Sequence, residues 1–148
     1  TEQLTDELLS EDENKYHAFL ILDVDCFKQI NDIYGHAVGD IVLQKFGKLL
    51  KGTFREGDIL GRIGGDEFGV IMKNIQTKDI AMKKAEELLA KTQAYKIDEL
   101  KGNNISISIG ISTAPQDGDC YMDLYKRADQ ALYQAKRSGK ARVCNYFS

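Results

Sequence analysis

The chain has no long apolar run, and that absence removes the membrane-spanning classes first. Its longest uninterrupted apolar stretch, Ala18 to Leu22, is far short of the ~20 residues that a bilayer-crossing helix needs. Proline is nearly missing: Pro115 stands alone, and no Gly/Ser-rich linker breaks the 148 residues. Nothing therefore marks an internal boundary, and residues 1–148 read as one domain. Cysteine is scarce and unevenly placed. Cys26, Cys120 and Cys144 are an odd number at wide spacing, which excludes a disulfide framework or a zinc ribbon and points to reduced thiols in a cytoplasm. A net charge of only −3 gives no global attraction to nucleic acid or to an anionic membrane, although it permits a local basic pocket. A secretory signal is not expected, because Thr1 to Asn14 is acidic and has no basic start followed by an apolar run. Glu2 to Glu13 reads as the end of a helix followed by a loop, as in a fragment of a longer multidomain protein.

What is present is the composition of a globular domain: 43% apolar and 29% charged residues, in a length that can bury a single core. The apolar run from Tyr16 to Val24 is stopped by acids, as expected of a central strand buried on both faces. Val38, Val42, Phe46 and Leu49 then recur at helical spacing, with Gly52 as the expected C-cap. Ile59 to Ile63 and Phe68 to Met72 are β-like runs separated by Gly64-Gly65-Asp66-Glu67, a hairpin signal. A helix is expected from Lys78 to Tyr95. Ile105, Ile107, Ile109 and Ile111 alternate with Ser106, Ser108, Gly110 and Ser112, a strict period of two. A last helix carries Leu124, Ala128, Ala131, Leu132 and Ala135 inward and meets Gly139, before a closing strand near Val143. The simplest architecture is a ferredoxin-like β-α-β-β-α-β core of the α/β (α+β sandwich) class, with an antiparallel central sheet and flanking helices.

Two acidic clusters carry the chemistry. Asp23 and Asp25 end the first strand, and Asp66 and Glu67 sit in the hairpin turn. If the hairpin lies beside the first strand, one acid from each converges at a sheet edge. Converging carboxylates suit Mg²⁺, a hard cation that keeps phosphate oxygens in its shell. Two such ions can activate an attacking hydroxyl and stabilise a leaving pyrophosphate. Turn chemistry explains either cluster taken alone equally well. The segment after the first strand, Phe27 to Asp32, reads as a loop in which Lys28 can hold a phosphate and Asn31 can meet a base edge. Asp40 either caps the following helix or accepts hydrogen bonds from guanine. Lys136 and Lys140 lie at the last turn of the final helix, where cations complement the dipole; as a phosphate clamp they must face the hairpin.

These stretches together resemble the GGDEF domain of diguanylate cyclases. The resemblance runs through Leu22-Asp23-Val24-Asp25-Cys26-Phe27-Lys28, Asn31-Asp32, Gly35-His36 with Gly39-Asp40, and Arg62 to Phe68. Ser108-Ile109-Gly110 and Ala128 to Lys136 complete it. It implies a palm-like nucleotidyl cyclase fold and a cyclase that condenses two GTP into cyclic di-GMP at the interface of a homodimer. The same resemblance implies Mg²⁺ or Mn²⁺, two ions per site, on Asp23, Asp66 and the Val24 carbonyl. It gives Asp66 or Glu67 the proton of the 3′-hydroxyl and Lys28 the transferring phosphoryl charge. Asn31, His36 and Asp40 hold the nucleoside, and Lys136 and Lys140 the triphosphate. Lys140 departs from the family's usual arginine and loses its bidentate fork. Arg55 and Asp58 match an RxxD inhibitory motif for the product, with Arg62 beside it. No nucleic-acid partner and no membrane insertion of this domain are implied. The upstream Asp-x-Leu-Thr-Gly-Leu-x-Asn-Arg segment is missing. Two rival readings remain: an inactive domain that senses cyclic di-GMP or GTP, and a related cyclase or polymerase-like palm with another substrate.

Overall fold

A computed structural model describes residues 16–146; the acidic start read as a helix end lies outside them. The first strand, β1 (Tyr16–Val24), is buried from His17 to Val24, as a run without polar alternation requires. It therefore lies at the centre, antiparallel to β3 (Glu67–Ile75) on one side and to β4 (Ile107–Ala114) on the other. The hairpin partner β2 (Ile59–Arg62) flanks β3, and β5 (Val143–Asn145) runs parallel to β4, giving the order β2-β3-β1-β4-β5. The four-stranded antiparallel core is the expected one, with a parallel strand added at its edge.

Parity sorts the side chains. Ala18, Leu20, Leu22 and Val24 enter a core with Val42, Leu43 and Phe46 of α2 (His36–Thr53) and Ala81, Ala85 and Leu88 of α3 (Asp79–Ala94). Phe19 and Ile21 face the opposite layer, where Leu124, Ala128 and Leu132 of α4 (Tyr121–Arg137) cover them. Each fully buried aliphatic side chain contributes about 1.5–3 kcal/mol relative to exposure. Gly110 and Ser112, which alternate with the isoleucines of β4, lie under α4. A Cβ on Gly110 would fall 2.2 Å from the Ala128 carbonyl oxygen, so only glycine lets the helix approach this closely. Ser112 Oγ donates to the Leu124 carbonyl at 2.7 Å.

Three sequence expectations change. Phe27 to Asp32 is no loop but part of α1 (Phe27–Tyr34). Phe27, Ile30 and Tyr34 pack partly against the core, and that i, i+3, i+7 stripe stabilises an eight-residue helix whose other residues, exposed Ile33 apart, are polar. Gly52 is not the C-cap of α2; the helix runs through it to Thr53, with Phe54 closing it. Asp40 is not a cap, because α2 begins at His36 after Gly35, whose φ of +93° turns the chain between the two helices.

Candidate active site

The same parity builds the site. Asp23 follows Phe19 and Ile21 on the α4 side of β1, and Lys136 follows Leu124, Ala128 and Leu132 at steps of four on α4. The two side chains meet where strand and helix end, and Lys136 Nζ donates directly to Asp23 Oδ2. Across the sheet, Asp23 is the register partner of Glu67 on β3 and of Ser108 on β4. The Val24 N–H donates to the Asp66 carbonyl at 3.3 Å, tying the hairpin turn to the end of β1. The turn is further fixed by Arg62, whose guanidinium donates to the Gly64 and Gly65 carbonyls. The structure thus gives Arg62 to the Gly-Gly turn.

Electrostatics follow from this crowding. Asp23 is 5% exposed, and burial pushes its carboxyl up from an ordinary 3.8 to about 6, with Asp66 adding to the rise and the Lys136 ammonium opposing it. Burial pulls Lys136 down, but its bond to Asp23 and the nearby Asp66 and Asp25 outweigh that and leave it raised. Glu67 is also raised, first by burial and then by Asp129; Tyr125, whose hydroxyl lies 3.4 Å from Glu67 Oε1, and Lys136 oppose the rise. Tyr125 lies outside every sequence motif named above, although its place four residues before Asp129 on α4 puts both on one helix face.

Asp23 holds its proton more tightly folded than unfolded, so its contribution to stability is present below pH 3.8 and is lost as the pH rises toward 6. Asp23→Asn removes that penalty. Its melting temperature is expected to exceed wild type by about 3 °C at pH 8, with the difference vanishing near pH 4. A variant less stable than wild type at pH 8 would show that the Lys136 contact outweighs burial. Such a cost to stability belongs with a group kept for function.

Asn31 lies on α1 with its Oδ1 buried and accepting no hydrogen bond from the protein. A Cβ on Gly39 would stand 1.9 Å from that oxygen, so Gly39 makes the cradle in which the amide sits, and Asp40 is the next residue of α2. Lys28 and His36 are exposed at the starts of α1 and α2. Lys140 Nζ lies 3.2 Å from Cys26 Sγ, on the loop that joins β1 to α1. Asp25 parts from Asp23, taking hydrogen bonds from Ser106 and Ser108 instead. On the turn before β2, Arg55 Nη2 pairs with the buried Asp58 at 2.9 Å and donates to the Lys73 carbonyl at 2.9 Å. This unit lies at the opposite end of β2 from the hairpin turn.

A divalent cation is compatible with this donor set. Asp23 Oδ1 is buried and has no hydrogen-bond partner, Asp66 is close enough to raise its neighbour's proton affinity, and oxygen ligands are what Mg²⁺ or Mn²⁺ takes. Asp119, Cys120 and Asp123 also gather ligand atoms within 4.8 Å. Their place at the start of α4 is explained by the helix dipole, which favours acids there.

Paired carboxylates at the end of a central antiparallel strand and its hairpin, with a helix over one face, define a palm-like cyclase fold. Residues 1–142 match the family described as diguanylate cyclase, GGDEF domain, and the chain belongs to that family. It is 40% identical over 127 residues to diguanylate cyclase A of Treponema denticola, covering 85% of this chain and 34% of that protein. It spans about a third of that relative's length. Among solved structures, the GGDEF domain of YfiN (TpbB) from Pseudomonas aeruginosa superposes with a TM-score of 0.93 at 32% identity, covering 99% of this chain and 93% of that one. The GGDEF domain of DgcB from Caulobacter crescentus, in complex with c-di-GMP, gives 0.86 at 26% identity and covers 97% and 86%. No helix among the described residues is long and apolar enough to cross a membrane.

Proposed function

We propose that the chain is a catalytic diguanylate cyclase domain, forming cyclic di-GMP from two GTP with release of two pyrophosphates. The observation that carries this reading is the meeting of Asp23, Asp66 and Lys136 at one end of the sheet. Asp23, Asp66 and the Val24 carbonyl would hold Mg²⁺ or Mn²⁺, which when bound supplies charge for the phosphates and acidifies the 3′-hydroxyl. Asp66, with Glu67 beside it, accepts the hydroxyl proton. Lys136 and Lys140 neutralise the triphosphate, and Lys28 the charge on the transferring phosphoryl group. Asn31 and Asp40 read guanine: Asn31 Oδ1 is an unsatisfied acceptor, and the guanine N1–H and amino group are donors that adenine cannot present together. His36 contacts the nucleotide.

One domain places one GTP, so both bonds of the product require two domains facing each other, each 3′-hydroxyl attacking the partner's α-phosphate. Incubating the chain at high concentration with Mg²⁺ and GTP, and in parallel with ATP, is expected to give cyclic di-GMP from GTP alone. No product, even with the domains fused to a dimerising segment, would leave a nucleotide-binding domain without turnover.

The Arg55–Asp58 unit supports feedback by the product. Asp58 fixes both the turn and the guanidinium, through the Arg55 N–H at 3.0 Å and Nη2 at 2.9 Å; with Nη2 also donating to the Lys73 carbonyl, Nη1 is the donor that remains, among the described residues, for a phosphate oxygen or a guanine acceptor. Arg55→Ala is expected to weaken cyclic di-GMP binding at least about tenfold and to abolish inhibition without changing the initial rate. Calorimetry and progress curves read both; unchanged affinity would remove the inhibitory assignment. Localisation in the cytoplasm is the setting in which GTP is available and thiols such as exposed Cys26 remain free.

A further inference from the structure

Asp25 is a buried acid that the catalytic reading leaves unused. It is 6% exposed and its carboxylate accepts three hydrogen bonds from two parts of the chain. Ser108 Oγ donates to Oδ1 at 2.6 Å, Ser106 Oγ to Oδ2 at 2.6 Å, and the Ala141 N–H to Oδ2 at 3.1 Å. Two serines, one on β4 and one just before it, would suffice to satisfy it beside the sheet. The third bond reaches out to the turn after α4, and that turn is unusual.

Gly139, Lys140 and Ala141 all have positive φ, at +121°, +64° and +51°. Two consecutive left-handed residues with side chains are costly and persist only when neighbours hold them. Here the neighbours are identifiable. The Lys140 N–H donates to the Ala135 carbonyl at 3.0 Å, Arg142 Nε donates to the Lys140 carbonyl at 3.0 Å, and Asp25 takes the next N–H. Of these, only Asp25 belongs to the β1–α1 loop. The consequence is that Lys140, whose Nζ lies 3.2 Å from Cys26 Sγ, is held against the residue next to Asp25.

We propose that Asp25 is a positioning residue for triphosphate binding: through the Ala141 N–H it holds the Lys140 ammonium over the β1–α1 loop. This rests on the cyclase reading, in which Lys140 is a triphosphate ligand. A lysine has no planar fork to find its partner, so at this position the backbone must do the aiming. The carboxylate is suited to the task because a charge-assisted bond to a backbone N–H is stronger than a neutral one.

The test uses GTP kinetics and calorimetry with a non-hydrolysable GTP analogue and Mg²⁺ on the full chain. Asp25→Ala is expected to raise KM and the analogue's Kd about tenfold, with kcat within about twofold. Asp25→Asn is expected to restore both, because its amide oxygen keeps the Ser106 and Ala141 bonds while its NH₂ donates to a reoriented Ser108. Ser106→Ala combined with Ser108→Ala lowers the melting temperature but leaves KM unchanged, which a merely structural role would not allow. Adding Lys140→Ala to Asp25→Ala is expected to cost nothing further, since both act on one ammonium. Multiplicative losses in that pair, a fall confined to kcat, or failure of Asp25→Asn to rescue would each overturn the proposal. Where Asp25→Ala does not fold, Asp25→Ser, which keeps a hydroxyl for the serines but cannot reach Ala141, gives the same KM readout. A wild-type chain that binds the analogue without turnover removes the cyclase reading, and the Kd comparison still decides the role of Asp25.

Discussion

Asp66→Ala is expected to lower cyclic di-GMP formation by about a thousandfold or more while leaving the domain folded and its product site intact. The scale is that of losing a group acting on charge that develops in the transition state. The side chain is removable because the turn does not depend on it. Arg62 clamps the Gly64 and Gly65 carbonyls, the N–H groups of Ile63 and Gly64 donate to the Glu67 carbonyl at 2.8 and 3.3 Å, and the Asp66 carbonyl that receives the Val24 N–H is main chain. Stability is expected to hold or rise, since Asp66 is one cause of the raised Asp23 carboxyl. Cyclic di-GMP should bind the variant as it binds wild type, because Arg55 and Asp58 take none of their hydrogen bonds from the hairpin turn. Product analysis after single and multiple turnovers, with calorimetry for the retained site, makes the check. Activity above about a tenth of wild type would move the proton acceptor to Glu67, whose own affinity for a proton is raised by burial and by Asp129.

That prediction draws on a site partly legible in the sequence, and the legible part has a physical reason. A run such as Ala18 to Leu22 cannot tolerate solvent on either face, so β1 had to be central, and Asp23 near its end had to lie at one end of the sheet, between β3 and β4. The period of two in Ile107, Ile109 and Ile111 identified β4 equally well. What the pattern could not reveal was the other face of β4. Gly110 and Ser112 are not small because water tolerates them but because α4 lies against them. The α1 helix was missed because Lys28, Gln29, Asn31 and Asp32 carry a loop-like composition. Only three apolar contacts from Phe27, Ile30 and Tyr34, made to a core that local sequence does not encode, decide its state. The divergence of Asp23 and Asp25 was hidden for a related reason. Their shared parity points to one face, but β1 stops at Val24 and Asp25 turns to Ser108 of β4 and to Ser106 just before it. The Lys136 contact, in contrast, follows from two periodicities meeting: odd positions of β1 and every fourth position of α4.

The second large effect comes from a glycine rather than an acid. Gly39→Ala is expected to reduce kcat/KM for GTP about a hundredfold, mainly through KM, and to erase most of the preference for GTP over ATP. On helix propensity alone the change should help, since glycine in a helix interior costs about 1 kcal/mol relative to alanine. The geometry opposes it. The new methyl would stand 1.9 Å from Asn31 Oδ1, 3.1 Å from its Cγ and 3.2 Å from Phe27 Cζ. Asn31 must then rotate away, because Phe27 is packed partly against the core and has less room to move. Loss of one aimed amide costs discrimination far more than it costs general affinity, since an analogue lacking the donor never used it. The companion variant separates this from simple misfolding. Asn31→Ala should lose GTP to a similar extent, and adding Gly39→Ala to it should cost no further activity and recover the helix gain as a higher melting temperature than Asn31→Ala alone. If Gly39→Ala instead binds GTP as wild type does, Asn31 does not read the base, and the guanine preference must rest on Asp40 and its neighbours.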